Sequence, residues 1–213
     1  MKRITLFLGH YGSGKTNVAI NYAYSLNREV KKVVIADLDI VNPYFRTKDS
    51  QEELEAKGIE VISLPFARSN VDLPSLPSSI YRLVEDKSIY SVIDVGGDDR
   101  GSYALGRLVP YIKEENNYDM FYVVNFYRPL TQNALDAYEV LKEIENASSL
   151  SFTGIINNSN LGRDTTREVI EKRIDEAEKL SRLSNLPIVY TTVEEGLKRN
   201  NEFGLKLQRR PFD

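Results

Sequence analysis

Eight residues, Gly9-His10-Tyr11-Gly12-Ser13-Gly14-Lys15-Thr16, fit the pattern G-x-x-x-x-G-K-T, with an apolar run at 4–8 before them and a helical period at 15–27 after. A strand that turns through glycines into a helix gathers several backbone N–H groups into one concavity, at the positive end of the helix dipole. Such a concavity holds an anion. Gly9, Gly12 and Gly14 let the amides turn inward on phosphate oxygens, Lys15 reaches the β- and γ-phosphates, and Thr16 offers its hydroxyl oxygen to Mg²⁺. His10, Tyr11, Ser13 and, one residue past the loop, Asn17 complete the expected contact set. A ligand-free glycine turn would need neither Lys15 nor Thr16, and the glycine spacing does not fit the dinucleotide fingerprint G-x-G-x-x-G.

Short apolar runs rich in β-branched and aromatic residues recur at 4–8, 32–36, 60–64, 88–93, 121–125, 152–156 and 188–190 and predict strands. Segments of helical period lie between most of them, at 15–27, 101–114, 132–145 and 166–183; the last puts Val169, Ile170, Ile174, Ala177 and Leu180 on one face. This alternation predicts a three-layer α/β fold, a mainly parallel sheet of about seven strands with helices on both faces. The 213 residues, 41% hydrophobic, are enough for one large domain, and a single domain over 1–213 is expected. The proline-bearing stretch 64–79 reads as an insertion or cap, and 204–213 as a packed or loosely held tail.

Composition removes several kinds of chemistry. With no cysteine, thiolate zinc sites, iron–sulfur ligation, disulfides and cysteine nucleophiles are excluded. The 28 basic and 31 acidic residues, net −3, are interspersed, which disfavours nucleic acid as a partner. No run approaches the ~18 apolar residues of a membrane span, and the apolar start leads straight into the glycine loop, so a cytoplasmic chain is expected.

A phosphate loop works with carboxylates at the ends of neighbouring strands. Asp37 and Asp39 follow Val33-Val34-Ile35, and Asp94 closes Ser91-Val92-Ile93 ahead of Gly96-Gly97. Asp94 would accept hydrogen bonds from metal-bound water, and the Gly97 amide would sense a γ-phosphate. Asp98, Asp99 and Arg100 read equally well as a second layer of that site or as a solvated turn.

The loop written as G-x-x-G-x-G-K-T, the Asp37-x-Asp39 pair and Asp94-x-x-Gly97 together resemble the MinD/ParA group of P-loop ATPases, of the SIMIBI class, over most of the chain. The resemblance implies ATP with Mg²⁺ bound by Thr16, Asp37, Asp39 and Asp94, and water activation by Asp39. It also implies an adenine-reading asparagine, best matched by Asn158 and next by Asn157, and a base-packing loop holding Thr191 and Thr192. Asn158-Ser159-Asn160-Leu161 lacks the Lys and the acid of the guanine-reading Asn-Lys-x-Asp, which favours ATP. One departure concerns the group's signature lysine, which crosses a dimer interface to the partner's nucleotide; here His10 occupies its position. Catalytic roles then fall to Lys15, Asp39 and His10, with His10 either touching a phosphate or carboxylate or packing against the loop.

Three functions follow. The first is a slow Mg²⁺-dependent ATPase switch, with a homodimer formed on ATP binding and a client yet to be named. A membrane partner is disfavoured because 195–204 is polar and interrupted by glycine. The second is an ATP-dependent small-molecule enzyme resembling dethiobiotin synthetase or the cobyrinate amidating synthetases. Asn42-Pro43-Tyr44-Phe45-Arg46 and Asn125-Phe126-Tyr127-Arg128-Pro129 would line its pocket, with Arg46 or Arg128 meeting an acidic substrate. The third is a regulatory nucleotide binder with little hydrolysis.

Overall fold

A computed structural model describes residues 1–38, 50–63, 77–96 and 99–207, the stretch 99–104 by its backbone alone. Asp39, Gly97, Asp98, the segment 42–46, most of the proline-bearing stretch and the end of the tail lie outside the described residues. Eight strands form one sheet: β1 Ile4–Leu8, β2 Val33–Asp37, β3 Glu60–Ser63, β4 Tyr90–Asp94, β5 Tyr118–Val124, β6 Gly154–Asn157, β7 Ile188–Glu194 and β8 Phe203–Leu205. The helices are α1 Lys15–Leu26, α2 Gln51–Glu55, α3 Ser78–Glu85, α4 Asp99–Glu115, α5 Ala134–Ser148, α6 Arg167–Glu171 and α7 Ile174–Ser184.

The strand order is β3-β2-β4-β1-β5-β6-β7-β8, and the pairings are parallel. From β1 the chain runs out to one side for β2 to β4 and to the other for β5 to β8. Such a reversal opens a crevice beyond the carboxyl ends of the central strands. The glycine loop leaves β1 at that point.

Every residue of β1 is buried. Period two divides them between the sheet faces. Ile4, Leu6 and Leu8 join a core with Ile80 and Leu83 of α3, Leu105, Leu108 and Ile112 of α4, Leu141 of α5 and Leu180 of α7. Phe7 joins the opposite core with Val18, Ala19 and Ala23 of α1 and Leu54 of α2. Helices therefore cover both faces, as the alternating pattern predicts.

Three details differ from the sequence reading. An eighth strand, β8, extends the sheet beyond β7, and Asn21 of α1 clasps the residue after it: Asn21 Nδ2 donates to the Lys206 carbonyl at 3.1 Å and Lys206 N donates to Asn21 Oδ1 at 2.9 Å. The helical period at 166–183 is split into α6 and α7 at Lys172-Arg173, and α7 then packs on α5, where Glu176 accepts the Ala134 amide at 2.8 Å. Asp99 and Arg100 open α4 rather than forming a turn.

One buried charge ties β1 to the helices beneath it. The Arg3 guanidinium donates to the carbonyls of Leu83 at 3.0 Å and Val84 at 3.2 Å, satisfying the C-terminal end of α3, and pairs with Glu115. Hydrogen bonds from Arg3, helped by Lys87, hold the Glu115 carboxyl from 4.5 down to about 2 against the opposing effect of burial. Since the unfolded chain takes up this proton first, the stabilisation is complete above about pH 4.5 and is lost as pH falls toward 2. Glu115→Gln should cost on the order of 3 kcal/mol at pH 7 in urea unfolding and flatten the acid limb of the stability curve between about pH 5 and 2; an unchanged acid limb would contradict the assignment.

Candidate functional site at the glycine loop

The path from β1 into α1 admits glycine alone at two points. Gly9 has φ +157°, and a Cβ there would run into the carbonyl oxygen of Val123 in β5. Gly14 has φ +88° as the N-cap of α1, and a Cβ there would collide with Asn158 Nδ2. Between them Ser13 N donates to the His10 carbonyl at 3.1 Å, closing a turn over residues 10–13, and Val18 N donates to the Gly14 carbonyl to begin the helix. Gly14, Lys15 and Thr16 thus stand at the first turn of α1, where amides lack helical partners and the dipole is positive.

The residues expected to meet phosphate divide by exposure. Lys15, Thr16, Ser13 and Gly9 are buried, with Lys15 Nζ in a long 3.3 Å contact to the His10 carbonyl. Tyr11 and Gly12 are exposed, while His10, Gly14 and Asn17 are half-buried. The His10 imidazole is pushed below its usual value, first by burial and second by the Lys15 charge, so it is neutral near pH 7.

Asp37 and Asp94 end adjacent strands in direct register, and Phe7, two residues before Gly9, is the partner of Asp94 on its other side. Both residues are buried, Asp37 at 4% and Asp94 at 1% exposure. The Leu38 amide donates to the Asp94 carbonyl at 2.8 Å, which holds the two strand ends together. Among the described residues there is no cluster of three or more carboxylates or imidazoles able to cage a metal. Two carboxylates and the Thr16 hydroxyl fit Mg²⁺, which keeps several waters and needs few protein ligands.

The asparagine singled out from sequence sits against the loop itself. Asn158 Nδ2 donates to the Ser13 carbonyl at 2.6 Å, and Asn158 Oδ1 accepts from Thr192 Oγ1 at 2.5 Å. Asn157 turns inward, its Oδ1 accepting from Ser159 Oγ at 2.7 Å. Thr191 and Thr192 belong to β7 rather than to a trailing loop, so their side chains take opposite faces. Thr191 pairs in register with Asn157, and Thr192 is the one that reaches Asn158.

Arg128, considered from sequence as a substrate cation, lies on the loop: its Nε donates to the Gly12 carbonyl at 2.8 Å. Arg46 is outside the described residues. An open groove of about 450 Å³ is lined by Asn133, Leu135, Glu176 and Arg182 of the α5–α7 contact, and by no residue of the glycine loop.

No protein-family model matches the sequence, and no curated protein matches it. Solved structures do. FtsY of Thermotoga maritima superposes with a TM-score of 0.60 at 18% identity, over 98% of this chain and 66% of that one. FtsY of Elizabethkingia anophelis in complex with GDP gives 0.55 at 17% identity, over 98% and 61%. The signal recognition particle 54 kDa protein of Aeropyrum pernix, also in complex with GDP, gives 0.53 at 19%, over 88% and 40%. The chain has the P-loop NTPase fold. It spans about three-fifths of the length of the FtsY structures, 58% for that of Mycoplasma mycoides. At these identities the likeness is one of fold.

Two outcomes test the site's geometry. Asn158→Ala leaves the buried Ser13 carbonyl without its donor and should cost about 1–3 kcal/mol in denaturant unfolding; a change under a few tenths would contradict the strut. His10 is the single histidine, so its NMR titration is unambiguous. The midpoint should lie below 6.5 and rise part of the way back in Lys15→Ala, burial remaining. By linkage, the His10 contribution makes stability fall as pH drops below the unfolded value, a loss that His10→Gln removes.

Proposed function

We propose that the chain binds ATP with Mg²⁺ in the loop 9–16 and acts as a nucleotide-controlled switch of the MinD/ParA type, hydrolysing ATP slowly. The observation that carries this reading is the placement of Gly14-Lys15-Thr16 at the start of α1, after β1, with Asp37 and Asp94 at the carboxyl ends of β2 and β4, the next two strands of the sheet. We read residues 1–213 as a single nucleotide-binding domain.

In this reading the amides of the loop and the α1 terminus receive the phosphates, and the buried Lys15 ammonium neutralises them without competition from bulk water. Thr16, Asp37, Asp94 and Asp39 would hold Mg²⁺ and its waters. When bound, Mg²⁺ offsets the charge that develops between the β- and γ-phosphates. Asp39 orients the attacking water, and the Gly97 amide registers whether the γ-phosphate is present. Asn158 and Thr191 stand on the side of the base. Asn158 meets it with an amide already bonded to Ser13 and Thr192, so base and phosphate contacts share one strut.

A second reading, GTP in place of ATP, is favoured by one observation: two of the solved structures sharing this fold hold GDP. The absence of Lys and acid after Asn158 speaks for ATP.

Calorimetry with Mg-ATP and Mg-GTP tests the assignment. Wild type should bind ATP in preference to GTP, and Lys15→Ala should weaken ATP binding about 10- to 150-fold, the loss of a charged hydrogen bond. Size measurements with ADP, ATP and a nonhydrolysable analogue should show a homodimer with ATP or the analogue alone. No binding of either nucleotide contradicts the function, and a monomer in all three states contradicts the switch.

A further inference from the structure

Arg128 stands in the turn that leaves β5, and the turn fixes it from both sides. Its amide donates to the Asn125 carbonyl at 3.0 Å, and its own carbonyl accepts from Thr131 N at 3.1 Å. Asn125 is buried and anchored in turn, its Nδ2 donating to the Asn160 carbonyl at 3.1 Å. From this platform the side chain crosses to the loop, where Nε meets the Gly12 carbonyl at 2.8 Å.

That bond uses one of five guanidinium donors and leaves the four terminal N–H groups available on an exposed residue. Elsewhere the arginines Arg3, Arg82, Arg167 and Arg199 each pair with a glutamate. Arg128 is held by a neutral carbonyl instead, and among the described residues no acid is paired with it. A planar, permanently charged fork suits phosphate oxygens. His10, on the same loop, is neutral near pH 7 and supplies no such charge.

We propose that Arg128 is a further phosphate-binding residue of this loop, contacting the polyphosphate of a bound nucleoside di- or triphosphate through its terminal nitrogens. The proposal rests on the nucleotide-binding reading above. It gives the loop a second cation from a separate strand end, so a bound polyphosphate bridges the ends of β1 and β5.

The test compares Mg-ADP and Mg-ATP binding by wild type, Arg128→Ala, Arg128→Gln and Arg128→Lys at low and at high salt, with thermal unfolding as a check on folding. Arg128→Ala and Arg128→Gln should weaken binding about tenfold or more at low salt and make it less salt-dependent, while Arg128→Lys keeps part of both. Equal affinity in wild type and Arg128→Ala overturns the inference alone. Equal losses in all three variants with an unchanged salt dependence also overturn it, since that outcome reports only the tie to Gly12. A wild type that binds neither nucleotide overturns the inference and the function together.

Discussion

The glycine loop keeps its shape because a side chain from another strand end is hydrogen-bonded to its backbone. Asn158, at the end of β6, donates to the Ser13 carbonyl and accepts from Thr192 on β7. Its amide sits so close to Gly14 that any larger residue there would collide with it. Loop, β6 and β7 therefore form one buried polar unit, and a carbonyl left unpaired inside it is costly. On the opposite side Gly9 lies under the Val123 carbonyl of β5. The loop is thus gripped by three strands beyond the one it leaves.

That grip depends on β1 being central. Its alternating residues fill both cores, so the strand end where the loop begins is fixed by packing on two faces and by parallel neighbours on two edges. Asp94 and Asp37 are then delivered to the same sheet edge by register alone. Phosphate contacts, carboxylates and the proposed cation Arg128 come from β1, β2, β4 and the turn after β5. A ligand seated there would touch the carboxyl ends of four strands, which is the condition for one small molecule to bias the arrangement of a whole sheet edge.

Much of this arrangement is legible in the amino-acid sequence. The Gly-rich turn between an apolar run and a helical period places the loop, because the G-K-T spacing is local and does not depend on tertiary partners. Seven strands are visible as apolar runs, and the five central ones, β1, β2, β4, β5 and β6, are buried along most of their length and need them. What stays hidden is set by distant partners. β8 is three residues, Phe203–Leu205, and gains its identity from β7 and from the clasp between Asn21 and Lys206, 185 residues apart. The break at Lys172-Arg173 interrupts a continuous helical period, and no proline or glycine marks it. Thr192 and Thr191 look alike in sequence; only strand register decides which of them meets Asn158. Arg128 reads as a substrate cation because nothing in sequence reveals a carbonyl 116 residues away.

The central claim is that a nucleotide sits on the backbone amides of the loop and the first turn of α1. Hydrogen exchange resolved to single amides, with and without Mg-ATP, tests this most directly. Exchange should slow at Gly12, Ser13, Gly14, Lys15 and Thr16 on addition of Mg-ATP, and should slow less there in Lys15→Ala at the same concentration. Unchanged exchange across the loop with saturating Mg-ATP, or protection confined to the groove between α5 and α7, would contradict it.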